Sequence, residues 1–225
     1  MIVFYDENLK VISFPISDFY SLEWTEAWTE PGEWSLNLPK EYMNLVMRSA
    51  YIHAEGIGFG IVESIKTDTE SLETGGRGLE AFLDHFVVTQ ERTLTGKAEE
   101  AARGLVAQYA RGVSLEEARG YKNALAQIIS PGSLMDAVYQ VLNPRGMSYT
   151  LSIEDGRIIY HTKKGENRTN RQTRRPWAQF STGLKNLVQP SFERNTRDEK
   201  SRVILRNSVE ANDVTTVTLY TYDFR

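Results

Sequence analysis

Apolar and polar side chains alternate with period two through most of the first 93 residues, the signature of strands with one buried face. Two short apolar runs, Ile2 to Tyr5 and Val11 to Phe14, flank Asp6-Glu7-Asn8, whose Asp and Asn supply turn chemistry, so the chain is expected to open on a hairpin. Tyr20, Leu22 and Trp24 then alternate with Ser21, Glu23 and Thr25, and Trp34, Leu36 and Leu38 alternate with Ser35 and Asn37. Between these runs lies Glu30-Pro31-Gly32-Glu33, which fits a type II turn: Pro31 presets φ and Gly32 accepts a positive φ. A hairpin closed directly on that turn pairs Thr29 with Trp34 and Trp28 with Ser35, placing Trp28 and Trp34 on opposite faces. A one-residue bulge brings the two rings together. A strand over Ile61 to Ile65 and further apolar, mostly strand-like segments ending at Val88 complete this β part.

At Lys97 the period lengthens. Ala98, Ala101, Ala102, Leu105, Val106 and Tyr109 fall on one side at helical spacing, among strong helix formers. Pro131-Gly132 breaks the chain before a second helix, capped by Ser133 with Asp136 at the box position and striped by Leu134, Val138, Val141 and Leu142; Asn143-Pro144-Arg145-Gly146 ends it. Alternation returns with Tyr149, Leu151 and Ile153, and Asp155-Gly156 signals a tight hairpin before Arg157 to His161. After a polar basic run, the stretches beginning at Trp177, Ser201 and Val214 read as further strands. The expected organisation is a β domain over 1–93, an α/β insertion with two or three helices and a hairpin over 94–177, and a β region over 178–225 packing on or beside the first. No internal repeat at a fixed period is visible.

Composition narrows the classes without choosing among them. A chain of 225 residues, 40% hydrophobic and 25% charged, is long enough to bury a sizeable core without a disulfide or metal staple. Its net charge of −4 argues against a dedicated nucleic-acid binder. The absence of cysteine removes thiolate nucleophiles, thiolate zinc sites and disulfides. "MIVFYDENLKVISF" lacks the features of a secretion signal, and no segment is apolar enough to span a membrane, so a soluble protein made in the cytoplasm is expected.

Candidate chemistry is sparse, and no catalytic, cofactor-binding or metal-binding residue can be assigned. Gly56, Gly58 and Gly60 precede a strand, so the phosphate-loop reading lacks its helix. His53, His85 and His161 are far apart in sequence and form no ligand motif. Glu99-Glu100 and Glu116-Glu117 are adjacent pairs on expected helical ground, pointing apart and reading as solvated faces. Lys163, Lys164, Arg168, Arg171, Arg174 and Arg175 make a basic run opposed only by Glu166, which reads as a solvated loop or a contact to an acidic neighbour before it reads as a phosphate site. Asn167-Arg168-Thr169 matches a glycosylation sequon without a secretion context. Three of the four tryptophans, Trp24, Trp28 and Trp34, lie close together, with Trp177 apart; strand alternation makes them core or subunit interface first and a sugar-stacking platform second.

Three stretches resemble a family of siphophage and prophage tail proteins of the ReqiPepy type, related to tail-hub and tail-tip proteins. They are "SLEWTEAWTEPGEWSLNLP" with "GIGFGIVESIKTDTE", then "GSLMDAVYQVLNPRGMSYTLSIEDGRIIY", then "RPWAQFSTGLKNLVQPSFERNTRDEKSRVILRNS". The resemblance implies an α+β, tail-hub-like fold: β-rich barrel-like domains carrying an inserted helical α/β segment. It implies a structural component of the virion tail that works by protein–protein assembly with other tail or baseplate proteins. No catalysis, no cofactor, no dedicated nucleic-acid binding and no membrane contact are expected. Symmetric assembly as a cyclic homo-oligomer is expected, a trimer among the forms open to it. Family members usually run longer through the last β region, which bears on whether a full ring closes. A carbohydrate-binding or carbohydrate-acting module using the Trp-rich hairpin is the alternative from another class.

Overall fold

The computed structural model describes residues 1–168, 171, 173, 176, 178, 179, 181, 183 and 184, with the backbone of 202–208 and 214–220. Contacts divide the chain into two units, Met1–Glu166 and Asn167–Arg225. The first unit runs β1 (Ile2–Tyr5), β2 (Ser21–Thr25), β3 (Glu33–Pro39), α1 (Met43–Val46), β4 (Tyr51–Ala54), β5 (Gly58–Ile61), β6 (Ser64–Thr67) and β7 (Ser71–Arg77). It continues through β8 (Val87–Val88), β9 (Arg92–Lys97), α2 (Ala98–Tyr109), β10 (Val113–Leu115), β11 (Ala124–Ile129), β12 (Gly132–Ser133), α3 (Leu134–Leu142), β13 (Met147–Glu154) and β14 (Arg157–Lys164). Of the second unit, β15 (Arg202–Ser208) and β16 (Val214–Tyr220) form an antiparallel pair running from Arg202↔Tyr220 to Ser208↔Val214. Most of the segment beginning at Trp177, expected as strand, lies outside the described residues. The class is α+β, and the sheets among the described residues are small and open.

Two cores form within the first unit. In the first, the antiparallel sheet β2-β3-β7-β6 turns Trp34, Leu36, Leu38 and Leu72 inward against Ile2, Phe4 and Ile52 from the sheet β1-β4-β5. In the second, α2 and α3 pack with a 3₁₀ segment, Leu79–His85, over the sheet β10-β14-β13. The expected helical stripe is the buried one: Ala98, Ala102, Leu105 and Val106 on α2, and Leu134, Val138, Val141 and Leu142 on α3. Each large aliphatic side chain so buried contributes roughly 1.5–3 kcal/mol relative to exposure. Tyr149 and Tyr160 stack at 5.4 Å beneath the helices, and the Tyr149 hydroxyl donates to the Glu80 carbonyl at 2.9 Å.

The hairpin β13–β14 follows its sequence signal without a slip. Asp155 and Gly156 both take positive φ, 49° and 69°, the two-residue turn matched to strand twist, and pairing runs from Glu154↔Arg157 to Met147↔Lys164. Elsewhere the expectations are modified. The second arm of the opening hairpin is not a strand, because the Ser13 hydroxyl takes the Phe4 N–H at 2.9 Å and only the bridges Ile2↔Ile16 and Tyr5↔Val11 form. The expected strand Ile61 to Ile65 breaks into β5 and β6, so that the chain passes from one sheet to the other. Gly76 permits that crossing, since a Cβ there would lie 2.0 Å from the Ile61 carbonyl oxygen. The apolar run after Gly78 forms 3₁₀ turns, with Leu79, Ala81 and Leu83 buried. Ser133 precedes α3 as expected, but its hydroxyl donates to Asp84 at 2.7 Å and does not cap the helix.

The Trp-rich hairpin adopts neither expected register. β2 ends at Thr25, residues 26–32 leave the sheet as a loop, and pairing places Trp24 opposite Trp34 and Thr25 opposite Glu33. The loop is held from outside the hairpin: Ser148 donates to the Trp28 carbonyl at 2.7 Å, and the Gly78 N–H donates to the Gly32 carbonyl at 2.7 Å. Gly32 is required there, since a Cβ would lie 1.9 Å from the Thr25 carbonyl oxygen. Among the described residues, no helix is long and apolar enough to cross a membrane.

Candidate functional site

The outward face of β13 and β14 is the floor of an open trough of ≈ 560 Å³, lined by Thr150, Ser152, His161 and Lys163, with Phe59 on one side and Arg119 and Tyr121 on the other. Strand alternation explains the floor: Tyr149, Leu151, Ile153, Ile158 and Tyr160 point into the core, which leaves the intervening residues outside. The Arg119–Tyr121 wall is fixed by Glu99, 1% exposed on α2, whose two carboxylate oxygens accept the backbone N–H groups of Arg119 at 2.6 Å and Tyr121 at 2.7 Å. A buried carboxylate persists only with such partners. This corrects the solvated reading of that acid pair: Glu100 faces solvent and pairs with Lys97, while Glu99 is a structural tie. Glu116 and Glu117 follow β10 in irregular backbone, not on a helix.

Glu116, His161, Ser152 and Glu154 form a polar chain from the segment after β10 across β14 and β13. His161 Nδ1 lies 3.0 Å from a Glu116 carboxylate oxygen, its Nε2 2.7 Å from Ser152 Oγ, and Ser152 Oγ 2.7 Å from Glu154 Oε1. His161, with Arg119 behind it, holds the Glu116 carboxyl below the usual carboxylate range. Serine, histidine and glutamate at these distances resemble a nucleophile triad, but proton counting gives another role. Glu154 can only accept, so the single Ser152 hydroxyl proton is engaged by that carboxylate. Ser152 thus donates to Glu154 and not to His161, and it sits mid-strand opposite Ile159, away from any turn that could offer oxyanion donors. The chain is a clamp joining the end of β10 to β13 and β14.

Lys163 and Lys164 complete the trough. The Lys163 ammonium lies 5.4 Å from the Trp28 ring centroid, and Lys164 lies 5.9 Å from that of Tyr121 while donating to Asn123 Oδ1 at 2.9 Å. An adjoining cleft of ≈ 290 Å³ is lined by Trp24, Trp28, Phe59, Glu80 and Lys163. Trp28 is 39% exposed, yet Lys163 covers its ring and Gly165 approaches its benzo edge, where a Cβ would lie 3.5 Å away. Trp24 and Trp34 stack on each other, and Trp34 is buried.

The remaining candidates disperse. His53 stacks on Phe59 at 4.2 Å, and burial lowers its pKa; His85 packs edge-on to Phe82 at 5.6 Å. Among the described residues, no group of His, Asp and Glu is arranged to hold a metal ion. Gly56 takes a positive φ between β4 and β5, while Gly58 and Gly60 lie within β5, so the glycines lead into a strand as the sequence indicated. Of the basic run, Lys163 and Lys164 are ordered strand residues, while Arg174 and Arg175 lie outside the described residues, as do Trp177 and Thr169 of the sequon. Glu99 was missed in the sequence because nothing local separates it from Glu100.

Comparison with known proteins agrees with this architecture. The chain is similar to a prophage tail protein, gp18, from Listeria monocytogenes EGD-e, with a TM-score of 0.53 at 12% identity over 98% of this chain and 67% of that one. It is also similar to the tail protein from Neisseria meningitidis MC58, with a TM-score of 0.48 at 16% identity over 90% of this chain, spanning 63% of that protein's length. No curated protein gives a significant match. The model of the siphovirus ReqiPepy6 Gp37-like family matches residues 2–222, so the chain belongs to that family of siphovirus tail proteins.

Proposed function

We propose that the chain is a structural component of the tail tip or baseplate hub, working by protein–protein assembly and performing no reaction of its own. The observation that carries this reading is the family match over residues 2–222. The donation of the Ser152 hydroxyl to Glu154, within a chain that ties strands together, is compatible with it. In this reading the partners are other tail proteins and further copies of the chain, arranged as a cyclic oligomer such as a trimer through heterologous contacts. The protein is made in the host cytoplasm and resides in the virion tail, without a dedicated nucleic-acid or membrane contact.

The test is deletion of the gene from the phage or prophage, with electron microscopy of the particles and mass spectrometry of purified tails. Particles with a missing or malformed tail tip, and the protein present in wild-type tails, are expected. Normal infectious tails that never contained the protein would overturn the proposal.

A further inference from the structure

β14 is longer than the neighbour on one of its sides. Its pairing with β13 covers Arg157 to Lys164, but its parallel pairing with β10 covers only Ile158 to Tyr160. The Glu116 N–H donates to the Tyr160 carbonyl at 3.1 Å, so even-numbered residues of β14 direct backbone groups toward the β10 side. The Gly165 N–H donates to the Gly146 carbonyl at 2.9 Å, which assigns the odd-numbered residues to the β13 side and agrees with that parity. After Leu115 the chain swings away into the wall carrying Arg119 and Tyr121. Among the described residues, no strand then faces Thr162 and Lys164; Thr162 is only 6% exposed, so Lys164 is the accessible end of this edge, and the trough adjoins it.

The charge beside the edge is distinctive. Lys163 and Lys164 are neutralised by no carboxylate among their described contacts, which are the Trp28 ring, the Tyr121 ring and the Asn123 amide. Arg119 and His161 add donors on the same surface, balanced by Glu116 and Glu154. Unpaired strand edges accept added strands, and uncompensated ammonium groups beside one select the charge of the guest. The carboxylates on the trough rim disfavour a continuous phosphate backbone, whereas a peptide can place its acidic side chains at intervals.

We propose that this trough takes an extended, carboxylate-bearing segment of a partner chain, which lies beside the exposed end of β14 at Lys164, bonds the backbone there and pairs its acidic side chains with Lys163 and Lys164. The inference deepens the assembly reading and depends on it only for the kind of partner.

The test uses the full chain and a fluorescent ten-residue peptide in which Glu alternates with Thr, compared with a Gln-for-Glu peptide and a single-stranded oligonucleotide. Expected are binding of the Glu peptide by anisotropy, at least tenfold weaker binding by the folded double variant Lys163→Glu/Lys164→Glu, weakening with salt, and slowed amide exchange at Lys164. Equal binding of the Gln peptide, equal binding by the double variant, preference for the oligonucleotide, or unchanged exchange at Lys164 would overturn it. None of these outcomes touches tail assembly as read by electron microscopy, so the two proposals fail separately.

Discussion

Trp24 and Trp34 face each other directly across β2 and β3, their ring centroids 6.0 Å apart and their planes 19° from parallel. Trp34 is the buried member, and its Nε1 lies where Gly60 leaves room, since a Cβ on Gly60 would come within 2.3 Å of it. Trp34→Ala is expected to cost about 3–5 kcal/mol, as large-to-small core changes do. Gly60→Ala is expected to destabilise through steric conflict with the same ring. Urea unfolding of both variants checks this, and a Trp34→Ala protein as stable as the parent would remove the ring from the core.

Glu99 is expected to matter more for the position of a wall than for the helix that carries it. Glu99→Ala leaves the N–H groups of Arg119 and Tyr121 without their acceptor, a loss of about 1.5–3 kcal/mol for each bond to a charged group. Amide exchange should accelerate at Arg119 and Tyr121 before it does along α2. Uniform acceleration over the whole unit would mean that the carboxylate supports global stability alone.

Asp68 makes a local acid-sensitive turn. Its carboxylate accepts the Ser71 N–H at 2.7 Å, the Ser71 hydroxyl at 2.7 Å and the Glu70 N–H at 2.8 Å, and these bonds hold its pKa down from 3.8 to about 2. Because the folded pKa is depressed, the turn's contribution is present above the ordinary value and is lost as pH falls from near 3.8 to about 2. Asp68→Asn should flatten the stability curve across that window. A variant retaining the full acid dependence would assign the effect to other carboxylates.

The clamp at His161 makes a statement about protons that magnetic resonance can read. In Glu154→Ala the Ser152 hydroxyl is released to His161 Nε2, and a neutral ring protonated on Nδ1 then satisfies both remaining links. Long-range nitrogen–proton spectra should show that tautomer. The opposite tautomer, protonated on Nε2, would contradict the assignment of Nδ1 to Glu116.

Much of the second core was legible because its signals are local. The Asp155-Gly156 turn fixes the register of eight residue pairs by itself, and the stripes of α2 and α3 need only helical spacing. The Trp hairpin was not legible, because its loop is tied by Ser148, 120 residues away, and by Gly78, so Pro31-Gly32 closes no tight turn. Burial separates Glu99 from Glu100, and only the packed position of 119–121 creates it. The partners of His161 likewise depend on β10 lying parallel beside β14, a topology that no spacing in the chain announces.

Alternation along β14 gives the adjacent lysines different companions, an indole for Lys163 and a phenol for Lys164. Their identity to each other in sequence therefore conceals an addressing system with a step of one residue. A single-residue deletion between the Asp155-Gly156 turn and Lys163 keeps both lysines in the sequence, yet it reverses the facing of the residues after it and parts both ammonium groups from these companions. This short strand thus tolerates exchange of its cations far better than any change in their spacing from the turn.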